Sequence, residues 1–312
     1  MPWPCSTRCV EIFKKNKGHR HIQSGTKLMA RTRCGVQPTL VMLAICASVT
    51  AFAETKKTLH FALGPHAAIN IVNQFGAVTI TPSTTKDVDV TATLGSDKVE
   101  VDPTRNGNRL ELRTHFLQTA DSNQGRVDYA VKVPTDTSVT VRSASGPISA
   151  EGLRADVVLE GDAAEVHVKQ VRNSHVHIRT LNGAITLEDI NYGHVEITSV
   201  SGPVMLTNVD GPAVTVNTTS GKIMYTGDFG EGGEYSLTNH SGGIEVSIPA
   251  TASLDISARS VNGSVENDFP MKPKPHPSFA ITQGKSFAGT LNAGASSVRL
   301  HSFSGKIRVK KQ

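Results

Sequence analysis

Short apolar–polar alternations recur in pairs along most of this chain. One set runs Val139 and Val141, Val157 and Leu159, Val176 and Ile178, Val195 and Ile197, Val214 and Val216, Tyr235 and Leu237, Leu254 and Ile256. A second set follows at a fixed offset: Ile148 and Ala150, Val166 and Val168, Ile185 and Leu187, Val204 and Leu206, Ile223 and Tyr225, Ile244 and Val246. Side chains at i and i+2 share one face of a strand, and β-branched residues favour that conformation, so each unit predicts two short strands. No stretch outside the N-terminal leader carries a convincing helical period.

Between the two strands of each unit sits a small polar residue, a glycine, any residue, and Ile or Val. The glycines are Gly146, Gly183, Gly202, Gly221, Gly242, Gly263 and Gly305. Successive steps are 37, 19, 19, 21, 21 and 42 residues. The first is a double step with a degenerate copy at Ala163, Ala164, Glu165 and Val166, and the last implies a hidden copy. These glycines are expected to be structural turns with positive φ. A third apolar column, Leu153, Val171, Ile190, Val209 and Phe229, marks the return segment.

One unit buries too little to offset the entropy of ordering it, so units must stack, each completing its neighbour's backbone ladder. The predicted fold is all-β: a parallel, right-handed β-solenoid with rungs of about 19–21 residues. Residues 54–134 read as a β-rich N-terminal cap, with Asn73 to Val78 resembling a first, looser turn. Residues 135–310 read as the solenoid, with an exposed Pro- and Lys-rich loop at 268–285. After that loop, Val298, Leu300, Ile307 and Val309 are expected to form the closing rung, its edge protected by Lys310 and Lys311.

Charge changes the picture once it is placed. The formal net charge is +5, but eight of the 32 Lys and Arg fall in residues 1–53 against one of the 27 Asp and Glu, leaving the remainder at −2. That removes the argument for a nucleic-acid partner. The same leader has the form of a signal peptide: basic residues, an apolar run from Leu40 to Val49, and Ala51, Phe52, Ala53 as a cleavage site. The run is shorter than the ~20 residues of a membrane span, so no transmembrane anchor is expected in the mature chain. Met29 begins a compact signal of its own, so residues 1–28 read as an over-extended start or a long basic region. Cys5, Cys9, Cys34 and Cys46 all lie in the leader, leaving the exported part without thiols.

A leader of this form, a β segment ending at Val133 and Pro134, and serial Ser/Asn-Gly-x-Ile/Val turns running to Gly305–Val309 together resemble a family of exported bacterial proteins of unknown function. Its members are described as putative adhesins with β-strand repeats. The resemblance spans about residues 58 to 310 and implies a β-solenoid with an adhesin-like role. It brings no catalytic residues with it.

Candidate chemistry comes from stacking. A 19-residue shift sets Asp156, His175 and His194 in one outward column and His177 beside Glu196 in the next. Stacked strands lie about 4.8 Å apart, so His175, His177, His194 and Glu196 are candidate ligands for one zinc-class cation. Arg142, Glu160 and Arg179 alternate in sign as a register device, and Met205 and Met224 stack as a small apolar spot. Asp87 with Asp89, and Glu188 with Asp189, are weak candidates for a carboxylate dyad, the latter because sequence neighbours on a strand point apart. Aromatic residues are 5% of the chain, sparse for a sugar-stacking platform.

The leading expectation is a non-enzymatic, exported, adhesin-like or structural surface in the periplasm or at the cell surface, needing no cofactor. Its partner would be a protein or glycan of the cell envelope, with self-association through the solenoid ends as a further expectation. The alternatives are a β-helix enzyme acting on polysaccharide, or a metal-binding module using the stacked histidines.

Overall fold

The computed structural model describes residues 54–312; the leader and its expected cleavage after Ala53 lie outside the described residues. Within them the alternation decides the layers. Every inward pair named above is buried, as are Leu153, Val171, Ile190, Val209 and Phe229. The strand before each corner joins a 13-stranded sheet and the strand after it a 12-stranded sheet, and the two enclose one hydrophobic core. Neighbouring rungs pair in parallel and in register. Val157 lies between Val139 and Val176, and Val195 between Val176 and Val214, so like residues stack on like. The protein is an all-β parallel solenoid, and no helix among the described residues is long and apolar enough to cross a membrane.

The step from Gly221 to Gly242 is two residues longer than its predecessors because the return segment holds an aromatic plug. Phe229 stacks on Tyr225 at 4.4 Å and meets Tyr235 at 4.5 Å. Burial pushes both phenols up, and their hydroxyls meet backbone groups: Tyr235 accepts from Gly230 N–H at 2.8 Å, while Tyr225 Oη lies 2.8 Å from the Val209 carbonyl.

At both ends, spatial order departs from chain order. The rung of Ala68–Phe75 and Val78–Pro82, turning at Gly76, packs directly on Ser138–Ser145 and Ile148–Glu151, so it continues the stack. Outside it comes the later pair Arg109–Phe116 and Val127–Val133, also parallel. Beyond that lie the earlier strands Val99–Asn106 and Asp87–Leu94, now antiparallel, with Thr55–Ala62 on the edge.

The C-terminal end uses the same device and corrects the expectation of a closing rung. Ser296–Ser302 and Ile307–Lys311 insert between the Gly242 rung and the Gly263 rung, so the last stretch of chain lies inside the layer that precedes it in sequence. Lys310 and Lys311 accordingly pair with Ser247 and Ile248 instead of forming an outer edge. Nor does the 42-residue step hide another copy of the turn. It holds Ser286–Leu291, which runs antiparallel along Leu254–Ser260, and a short pairing at Lys272–Pro273 within the expected loop.

The corners show why glycine recurs. Gly146, Gly183 and Gly202 have φ of 109°, 138° and 113°, as expected, but Gly221, Gly242, Gly263 and Gly305 do not lie in the positive-φ region. What the corners share is contact between layers. A Cβ on Gly202 would sit 2.1 Å from the Gly183 carbonyl oxygen, and one on Gly305 would sit 1.7 Å from that of Gly242. No side chain fits there, whatever the local φ.

Three residues before each corner glycine, a small polar side chain points inward: Ser143, Thr180, Ser199, Thr218, Asn239, Ser260 and Ser302, all buried. These side chains satisfy corner amides and carbonyls that water cannot reach. Ser302 Oγ accepts from Gly305 N–H at 2.8 Å, and Ser260 Oγ donates to the Gly305 carbonyl at 2.7 Å. Asn239 Nδ2 donates to Thr218 Oγ1 at 2.7 Å. At the opposite corner the left-handed conformation recurs at Gly152, Gln170, Asp189, Asn208 and Gly227.

Candidate interaction surface

The repeat register places the histidine columns as expected. His175 pairs with His194, and His177 with Glu196. The two former rings lie 5.3 Å apart, His177 Nδ1 is 3.4 Å from Glu196 Oε2, and His175 N–H reaches Asp156 Oδ1 at 3.4 Å. The stack therefore delivers two adjacent pairs. Among the described residues, the group of three metal-type donors whose ligand atoms all lie within 4.8 Å of one another is elsewhere, at Glu100, Asp102 and His115.

The acidic neighbours have structural partners. Glu188 pairs with Lys169 at 2.7 Å, while Asp189, in the left-handed corner, accepts from Asn208 Nδ2 at 3.1 Å. Asp87 and Asp89 flank His60, whose Nδ1 lies 2.7 Å from Asp89 and whose pKa is raised, chiefly by that hydrogen bond. Met205 and Met224 are in register and half-buried.

One column was missed in the sequence. The residue two positions before each corner glycine is turned away from the core, and in stacking order these are Ala144, Leu181, Val200, Thr219, His240, Phe303 and Val261. Leu181, Val200, Phe303 and Val261 are 45%, 45%, 42% and 38% exposed, and they make up four of the seven exposed large hydrophobics among the described residues. His240 and Phe303 stack at 4.8 Å with ring planes 2° apart. Buried polar and exposed apolar residues alternate at the corner, the reverse of the strand pattern. That inversion is the signal that could have revealed the column.

The degenerate rung interrupts this edge. Gly161 lies opposite Ser143 and Thr180, so the inner polar ladder has no side chain there. Beside Gly161 lies a groove of about 410 Å³ whose lining includes Arg142, Glu160, Asp162, Arg179 and Leu181. Arg142 Nε donates to Glu160 Oε2 at 2.7 Å, the sign-alternating register contact expected from the sequence.

The family model of the Toastrack DUF4097 proteins matches residues 66–310, from before the Gly76 corner to the end of the inserted C-terminal rung. The chain belongs to this family. As a Toastrack protein it is similar, at low identity, to three crystal structures. A putative adhesin from Bacteroides fragilis is 14% identical, with a TM-score of 0.44 over 83% of this chain and 97% of that one. A putative adhesin from Parabacteroides merdae is 12% identical, with a TM-score of 0.31 over 81% and 95%. A putative cell adhesion protein from Clostridium sporogenes is 10% identical, with a TM-score of 0.28 over 83% and 100%. None reaches a TM-score of 0.5, so no residue role passes from them to this Toastrack chain. No curated protein matches it.

Proposed function

We propose that this protein is a non-enzymatic, exported β-solenoid that acts as an adhesin-like or structural interaction surface in the cell envelope. On this reading residues 1–53 are a leader removed after Ala53, 54–134 a capping segment and 135–310 the repeat body. The partner is a protein or glycan of the envelope, met in the periplasm or at the surface. The observation that carries the reading is the apolar ridge of Leu181, Val200, Phe303 and Val261 along one corner. Isolated exposed apolar residues are ordinary, but a row of them held in line by the backbone favours a docking edge.

Binding of the purified protein to isolated envelopes of its own organism tests this directly. The triple variant Leu181→Ser, Val200→Ser, Phe303→Ser should lose most of the binding while keeping the wild-type circular dichroism. Equal binding by the two proteins would sink the ridge as the docking edge. Sedimentation of the same pair would reveal whether the ridge joins two copies of this chain instead.

A second reading has one observation in its favour, the groove at Gly161 with arginines and carboxylates together. There Arg179 would hold an acidic sugar while Glu160 or Asp162 moved a proton, as on a β-helix polysaccharide enzyme. Shortening of acidic polysaccharide by the wild type, abolished in Arg179→Ala, would establish it; no turnover in either protein would end it.

A further inference from the structure

We propose that Glu100, Asp102 and His115 form a binding site for a zinc-class divalent cation on the outer hairpin of the N-terminal cap. The site is separate from the corner ridge and does not depend on it. Glu100 and Asp102 occupy alternate positions of Val99–Asn106, whose other face buries Val99 and Val101 in the core. The strand pairs antiparallel with Arg109–Phe116, which sets His115 directly opposite Glu100 and likewise buries Leu110 and Leu112. The two carboxylates and the imidazole thus stand on one outward face of a backbone anchored from behind, as a preformed site requires.

The spacing suits one ion. His115 Nδ1 lies 3.3 Å from Glu100 Oε1 and 3.2 Å from Asp102 Oδ2. Donors bound tetrahedrally at about 2.0–2.2 Å from zinc lie about 3.3–3.6 Å from one another. The charges also call for a cation. Among the described residues neither carboxylate has a Lys or Arg ion pair, because the cations on neighbouring positions are turned elsewhere. Arg113 pairs with Glu111 at 2.7 Å, Lys98 Nζ donates to Gln124 Oε1 at 2.8 Å, and Lys57 Nζ donates to the Val101 carbonyl at 2.9 Å. Two carboxylates converge on one imidazole nitrogen. One carboxylate pair and one imidazole match the ligand preferences of zinc, and three protein donors leave a fourth position facing solvent for water or a partner's carboxylate.

Zinc calorimetry on residues 54–312 tests the site. This stretch contains all the strands of the described fold, lies within a compact unit of its own, and excludes the leader cysteines. The protein carries no polyhistidine tag and is stripped with chelator first. One zinc per chain is expected, with affinity falling at least about tenfold in His115→Ala and in Glu100→Gln/Asp102→Asn, since losing even a hydrogen-bond partner of a ligand reaches that size. His175→Ala/His194→Ala should bind as the wild type does. Manganese should broaden the His115 imidazole resonances first, a readout independent of affinity. Melting curves in chelator confirm that each variant is folded. The site is overturned by the absence of zinc binding at micromolar metal, or by binding that survives the cap variants and is lost in His175→Ala/His194→Ala.

Discussion

The middle of the solenoid and its two ends are built from the same rung but assembled by different rules. From the Gly146 rung to the Gly242 rung, each layer packs on the one just before it in sequence, so partners are about one repeat apart. At each end a later piece of chain slides beneath an earlier one. Ser302 Oγ reaches the Gly242 carbonyl across 60 residues, and Lys310 meets Glu245 across 65. The middle grows by local addition; the ends cannot close until a distant segment arrives. At three of the four sheet edges the outermost strands run antiparallel, ending there the run of matching parallel edges on which another chain could stack, whereas Val265–Asn267 still pairs in parallel.

The sharpest test of this contrast is to remove Ser296–Gln312. If the inserted rung carries the Gly263 layer, its loss should release Leu254–Leu291 as well, giving rapid proteolysis there while the central rungs stay protected. Continued protection of Leu254–Leu291 would show that the terminal layer docks without its bridge.

Next in size are the corner glycines. Gly202→Ala, at positive φ, and Gly305→Ala, outside that region, should both destabilise by about 3 kcal/mol or more, because each added Cβ meets a carbonyl oxygen of the adjacent layer. Gly232→Ala is the control, since its Cβ would meet open space and only the backbone cost of about 1–2 kcal/mol remains. Chemical denaturation ranks the three, and equal losses would refute the steric account.

A smaller loss is expected from Ser302→Ala. It strands the Gly305 amide in the core and should cost about 1–3 kcal/mol. The same experiment on Ser143→Ala, in a central rung, asks whether the polar ladder matters equally in both regions.

The smallest effect is electrostatic. Lys310 and Lys222 hold the Glu245 carboxyl down to about 2, and Glu266 is lowered by Lys306, so charges clasp the inserted rung on both sides. A carboxylate with a depressed folded-state pKa stabilises the protein above its ordinary value of 4.5 and loses that contribution as pH falls toward about 2. Unfolding midpoints should therefore decline over that window, and Glu245→Gln should flatten the decline. An unchanged slope in the variant would assign the acid sensitivity to other carboxylates.

The strands, the buried pairs and the corner glycines were legible because period-two alternation and a close-approach glycine are written one rung at a time. The register was legible too: a 19-residue shift correctly paired His175 with His194 and His177 with Glu196. Whether four side chains converge on an ion depends on rotamers, which the register does not set. The cap site escaped because its register comes from a hairpin and not from the repeat. Asn106 and Arg109 close a two-residue turn of Gly107 and Asn108 with Gly107 at φ 59°, a recognisable Gly-Asn signal that sets Glu100 opposite His115. The corner ridge escaped because the strand rule, apolar inside and polar outside, inverts where the backbone itself needs buried hydrogen-bond partners.

By itself, then, the sequence determined that this chain makes stacked parallel rungs with tight glycine corners, since alternation and close approach are local properties. Only the tertiary structure decided the order of the layers. Near-identical rungs offer near-identical edges, and the choice among them rests on contacts between segments some 60 residues apart, such as Ser302 with Gly242 and Lys310 with Glu245. The order of residues along the ridge follows from that same three-dimensional choice, whereas the Glu100–Asp102–His115 cluster needs only its own hairpin.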